Sequence, residues 1–143
     1  MAAFAKYNSG VEALVEGINA GSDTWKIALT NRTPVPSTDA VLADISDLPT
    51  AGGYTAGGNA CSVTSSAQTS GTYKLVLASP ATWTASVGGT GFTFRYAVLY
   101  DVTASNALVG YWDYGSSIVM SGTNGDTFTV TLDGTNGVFS VGP

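Results

Sequence analysis

From Phe92 to Tyr100 the chain alternates without a break. Phe92, Phe94, Tyr96, Val98 and Tyr100 fall on one side of an extended backbone, and Thr93, Arg95, Ala97 and Leu99 on the other. Strand side chains point to opposite faces with a period of two, so this run reads as a strand and not as an amphipathic helix. The period recurs where Trp25, Ile27 and Leu29 alternate with Lys26, Ala28 and Thr30, and where Tyr73, Leu75 and Leu77 mark 72–78. It appears again where Thr127, Thr129 and Thr131 alternate with Phe128, Val130 and Leu132. A hydroxyl-rich run over 60–67, a short piece from Pro80 to Trp83, and segments 107–114, 118–120 and 138–141 complete the set, with a turn at 133–137. Seven or eight short strands separated by glycine-rich turns predict an all-β fold: an antiparallel β-sandwich, jelly-roll-like in topology.

One short helix precedes the strands. Val11, Leu14, Val15 and Ile18 stand at i, i+3, i+4 and i+7, which puts them on one helical face. Ser9 with Glu12 three residues on matches a capping box, and Gly21 is the expected stop. Glu12 and Glu16 lie one turn apart and read as a solvated flank. The expected organisation is a helical segment over 1–22 and a β-sandwich domain over 23–143, with no internal repeat and a single domain overall. Between Arg32 and Gly58 lie three prolines and two Gly-Gly pairs, with one or two helical turns expected over 40–47. So long an excursion in a chain of 143 residues is a candidate for contact with a neighbour.

Composition narrows the function classes. Charged residues make up 10% of the chain, against about 25% in average soluble proteins. The five cations, Lys6, Lys26, Arg32, Lys74 and Arg95, are scattered, and the net charge is −5. Nucleic-acid binding needs a basic stripe to neutralise phosphates, so no nucleic-acid partner is expected. There is no histidine, which removes the commonest general base and metal ligand. Cys61 is the single cysteine and reads as a small buried side chain. No phosphate-binding glycine loop occurs. Asp39, Asp44 and Asp47 cluster, and Asp126 and Asp133 flank the last long strand, but aspartates at turns are explained by their backbone hydrogen bonds. Neither a metal nor a cofactor is expected. A glycosidase needs two convergent carboxylates, whereas Asp101 and Asp113 fall near opposite ends of adjacent strands; no catalytic residues and no small-molecule substrate are expected. No apolar run reaches the ~20 residues of a membrane span, so no membrane partner is expected. The first residues lack the pattern of a secretory signal, which points to synthesis in a host cytoplasm.

The aromatic set Trp83, Tyr111, Trp112 and Tyr114 has two readings. Exposed in a row, these rings stack on sugars; turned inward, they pack a core or a subunit interface. With three lysines in all, the chain has few of the charges that guard edge strands, which favours edges that are hidden or paired with another subunit.

Five segments carry a resemblance over nearly the whole chain: Gly21-Ser22-Asp23-Thr24-Trp25-Lys26-Ile27-Ala28-Leu29-Thr30 after the opening helix, Ala40-Val41-Leu42-Ala43-Asp44-Ile45, Gly53-Tyr54-Thr55-Ala56-Gly57-Gly58, Phe94-Arg95-Tyr96-Ala97-Val98-Leu99-Tyr100, and Gly110-Tyr111-Trp112-Asp113-Tyr114-Gly115. In these the chain resembles a family of small structural proteins of tailed bacteriophages. The resemblance implies a non-enzymatic virion protein of the capsid decoration (cement) type. Such a protein is a jelly-roll subunit bridging capsomers as a dimer or trimer, with the major capsid protein and copies of itself as partners. Position and composition then nominate two contact surfaces. One is the N-terminal segment with Phe4, Val11, Leu14, Val15 and Ile18; the other is the excursion, with Val41, Leu42 and Tyr54. The alternative is a carbohydrate- or receptor-binding module of a tail or fibre, using Trp83, Tyr111, Trp112 and Tyr114.

Overall fold

A computed structural model describes residues 2–142. They form a mostly β, antiparallel fold with one short α-helix. In chain order the elements are β1 (Phe4–Lys6), α1 (Asn8–Glu16), β2 (Trp25–Thr30), a 3-10 turn (Leu42–Ile45), β3 (Asn59–Cys61), β4 (Val63–Thr69), β5 (Thr72–Leu77), β6 (Trp83–Thr84), β7 (Phe92–Asp101), β8 (Ala107–Met120), β9 (Thr127–Phe128) and β10 (Phe139–Val141). Five strands make the main sheet in the order β1-β8-β7-β2-β3; β10-β5-β4 and β6-β9 make two smaller ones. A single cluster joins all three sheets, with Trp25, Ile27 and Leu29 of β2 and Phe94, Ala97 and Leu99 of β7 packed with Leu75, Leu77, Trp83 and Val130. Burying an aliphatic or aromatic side chain of this kind contributes roughly 1.5–3 kcal/mol.

The alternation along β7 survives, but not as one face. Phe94 lies in the main core together with Ala97 and Leu99, whereas Val98 and Tyr100 belong to a second cluster on the other side of the sheet. The ladder to β8 slips between Phe94 and Tyr96, where Phe94 pairs with Ile118 but Tyr96 with Asp113, and again between Leu99 and Tyr100. An irregularity of this sort re-aims the side chains beyond it, so the five residues expected to share a face are split between two. From Tyr96 to Asp101 every residue is buried. The segments expected at 107–114 and 118–120 are one strand, β8, because the extra residues Tyr114–Ser117 are absorbed as a bulge.

What covers the outer face of β7 is the long excursion. Ile45 packs there with Tyr7, Ala28, Val98, Tyr100 and Leu108, with Leu42 and Tyr111 at the margin. The excursion is fastened by polar groups as well. The Arg32 guanidinium forks onto the Asp39 carboxylate at 2.6 and 2.9 Å. The Thr30 hydroxyl donates to the Ile45 carbonyl at 2.7 Å. The Tyr54 hydroxyl accepts from the Leu29 N–H at 3.0 Å and donates to the Asp47 carboxylate. Gly58 closes the excursion with φ +69, where an added Cβ would run into the Ile27 carbonyl.

The helix is shorter than its apolar spacing implies. It begins after Tyr7 and ends at Glu16, leaving Ile18 outside. The expected capping box is not formed: the Ser9 hydroxyl donates instead to the Asp39 carbonyl at 3.1 Å, tying α1 to the excursion. At 127–132 only Thr127–Phe128 joins a ladder, yet the pattern holds, with Phe128, Val130 and Leu132 inward and the three threonines exposed.

α1 lies so close to β8 that a Cβ on Gly10 would stand 2.5 Å from the Leu108 carbonyl oxygen, while Gly17 has nothing nearer than 3.8 Å. Gly10→Ala is expected to lift the helix off β8 and cost about 1–3 kcal/mol. Gly17→Ala is expected to stay within about 0.5 kcal/mol of the parent. Denaturant melts of the two variants check the contrast.

Candidate functional site

The N-terminal segment divides its residues between core and surface. Phe4 pairs with Trp112 across the β1–β8 ladder, their rings 4.8 Å apart, and packs half-buried against the main core. Leu14 and Ile18 are likewise half-buried. Val11 and Val15 face solvent, Val15 at 84% exposure. Leu14, Val15 and Ile18 form one wall of a groove of about 350 Å³, whose other wall is Tyr73, Phe139 and Val141. Val141 is 62% exposed. The fold thus gathers apolar side chains from α1 and the residues after it, from β5 and from β10, with Ser66 of β4 also in the lining. The sequence pattern nominated only the helix side, since nothing local tells that β10 returns beside it. Four more valines, Val35, Val87, Val102 and Val119, are exposed elsewhere.

A wider trough of about 960 Å³ lies over the outer side of the β4–β5 hairpin, lined among others by Ser65, Thr69, Thr72, Lys74 and Thr135. It has no aromatic residue in its lining.

The excursion residues are placed differently. Val41 bridges to Ala107 and Leu42 sits at the edge of the second cluster, both half-buried. Tyr54, nominated as a contact residue, is a core residue at 1% exposure and offers no surface. Its hydroxyl holds two backbone segments together, and burial pushes its pKa well above the ordinary range, so it stays protonated.

The aromatic platform also dissolves. Trp83 and Trp112 are buried, at 2% and 7% exposure. Tyr111 and Tyr114 remain half-buried; Tyr111 stacks near Tyr7 and Tyr96, and Tyr114 meets Phe94 and Phe128 edge-on. Trp112 and Tyr114 share the lining of one shallow depression of about 210 Å³ with Thr129, Val130 and Thr131, and neither Trp83 nor Tyr111 joins them there.

Among the described residues no group of three or more His, Cys, Asp or Glu side chains converges on a point that could hold a metal. Asp39, Asp44 and Asp47 serve the backbone instead. Arg32 and the Val35 N–H hold the Asp39 carboxyl below its usual range, and the Ala40 and Val41 N–H groups do the same for Asp44. Asp113 is paired with Arg95 at 2.8 Å. It stands opposite Tyr96, five residues along β7 from Asp101, or about 17 Å at strand rise. Cys61 is free and buried, and burial raises its thiol to about 12, which makes it unreactive.

One titratable pair escaped sequence reasoning. Asp101 is fully buried at the end of β7; its Oδ1 accepts from the Ala104 N–H, and its Oδ2 has no donor. Burial, with the Asp23 carboxyl beside it, raises its pKa to about 6. Asp23 is far away in sequence, so only the fold reveals the pair. Neither residue lines the groove or the trough.

The chain matches no protein-family model, no curated protein and no solved structure.

The buried Asp101 carboxyl sets a pH dependence with a definite sign. A carboxyl whose folded pKa is raised supports the fold while protonated, and that support is lost as pH climbs through about 6. Asp101→Asn, which keeps the acceptor and adds a donor toward Asp23, is expected to be about 1–3 kcal/mol more stable than the parent at pH 8 and no more stable at pH 4. Melts across that range check it.

Proposed function

We propose that this chain is a non-enzymatic contact protein that decorates and stabilises the outside of a tailed-phage capsid, working in the virion through contacts with the major capsid protein. The observation that carries the reading is the pair of solvent-facing valines, Val15 and Val141, at the groove walled by Leu14, Ile18, Tyr73 and Phe139. Apolar side chains held in the open by a rigid fold favour burial against another surface. The residues that line the groove carry no charge, which lowers the cost of desolvating it, while Glu12 and Glu16 stand on the flank of the helix. The phage-family resemblance of the five sequence segments supplies the identity of that other surface. The arrangement of the sheets belongs to the same reading: a jelly-roll-like sandwich, supported by one core that draws on the main sheet and both smaller ones.

The mechanism is mass action. A protein that binds the assembled shell and not its dissociated parts stabilises the shell by RT ln(1 + [L]/Kd), about 2.7 kcal/mol per site at a hundredfold excess over Kd. The alternative, a sugar-binding module, requires exposed ring faces, and the burial of Trp83 and Trp112 weighs against it.

Particles of the encoding phage, stripped of this protein and then resupplied with it, are expected to melt at a higher temperature than stripped shells. Val15→Lys with Val141→Lys is expected to weaken shell binding at least tenfold while leaving the isolated protein's melt within about 0.5 kcal/mol, since both sites are exposed. Binding of the parent to tails alone, or no rise in shell melting at saturation, would refute the assignment.

A further inference from the structure

The sheet edges of this protein are unequal. β1, β3 and β10 are each three residues long, and β1 ends on Lys6. β4 is a seven-residue edge strand, Val63-Thr64-Ser65-Ser66-Ala67-Gln68-Thr69, of which all but Val63 are exposed. Its one neighbour is β5, reached through Ser70 and Gly71, both at positive φ as a two-residue hairpin turn requires. The inter-element backbone hydrogen bonds outside the ladders involve none of residues 64–69. Alternate N–H and C=O groups of such a strand therefore point outward with water as their partner.

A bulge between Val63 and Ser65 interrupts one end of this edge, and from Ser65 to Thr69 nothing guards it. Natural edges are blunted by lysine, proline, inward charges, bulges or brevity. Here no charged residue occurs between Asp47 and Lys74, and no proline between Pro49 and Pro80. The strand is also compatible with itself. In an antiparallel pair centred on Ser66, Ser66 faces its own copy and Ser65 of one copy faces Ala67 of the other, the bulge at Val63–Ser65 lying at the margin of the paired residues. The facing residues are small and uncharged, so no like charges oppose. A two-fold axis makes both halves of the contact equivalent.

We propose that β4 is a homotypic pairing edge: two copies of this chain join their β4 strands antiparallel about a two-fold axis near Ser66, fusing two three-stranded sheets into one. The contact rests on the edge alone and stands whether or not the chain decorates a capsid. Main-chain hydrogen bonds supply the attraction, as in other strand additions.

The test uses the purified full chain. Sedimentation from micromolar to near-millimolar concentration is expected to show the mass rising from 14.5 kDa toward twice that value. The double variant Ser65→Glu/Ala67→Glu sets glutamates opposite each other at both symmetric positions, while within one chain residue 67 faces Lys74 and can pair with it. It is expected to weaken association at least tenfold and to keep the parent's circular dichroism and dilute-solution melt. Independently, Ser66→Cys is expected to link two chains through a short bis-maleimide, whereas Val119→Cys, also exposed but on β8, is not; the buried Cys61 stays silent. A chain that remains monomeric throughout overturns the proposal. So does association that the double glutamate variant leaves unchanged, or cross-linking through Val119→Cys in preference to Ser66→Cys.

Discussion

The structure depends on a strand with no solvent face. Between Tyr96 and Asp101, β7 is buried on both sides, by the main core on one and by the second cluster around Tyr7 and Ile45 on the other. An antiparallel sheet ordinarily leaves one face to water, so the second covering has to come from somewhere. It comes from segments that are not strands: the excursion between Arg32 and Gly58 and Tyr7, the residue that precedes the helix. This requirement explains why so much chain is spent between β2 and β3. It also explains why that stretch is held by Arg32–Asp39, by Thr30 and by Tyr54, each meeting a backbone or carboxylate partner that burial would otherwise leave unsatisfied.

The strand content was legible because alternation is a local signal. β2, β5, β7 and the exposed threonines at 127, 129 and 131 lie where the period of two puts them. Alternation does not encode the slips in the β7–β8 ladder, which depend on how many residues each strand has between fixed contacts. Hence the division of Phe94 from Val98 and Tyr100 was invisible. The helix departs from its expected bounds at both ends, through a tertiary contact at Ser9 and through local closure at Gly17, whose N–H donates to the Ala13 carbonyl. Ser9 is engaged by Asp39, and the chain turns away at Gly17 so that Ile18 meets the core from outside the helix.

The surface was less legible than the fold. Leu14, Val15 and Ile18 could be named from their helical spacing, but Tyr73 of β5 and Phe139 and Val141 of β10 join them only through the fold. Tyr54 was misjudged because a tyrosine among glycines and prolines has the look of a loop tip. Here it is an internal bracket whose hydroxyl meets Leu29 and Asp47. The tryptophans show the same point in reverse, since a ring's chemistry says nothing about which side of a sheet it faces.

The bracket formed by Tyr54 has a dynamic side. Polar fastenings join the excursion to β2 at Leu29 and Thr30, and a hydrogen bond from the Leu108 N–H to the Ala40 carbonyl joins it to β8. With its fastenings distributed over both neighbours, the excursion cannot fray from a tip as an ordinary loop does. It opens only as one cooperative unit, and its amide protons exchange together with those of the β7 face it protects.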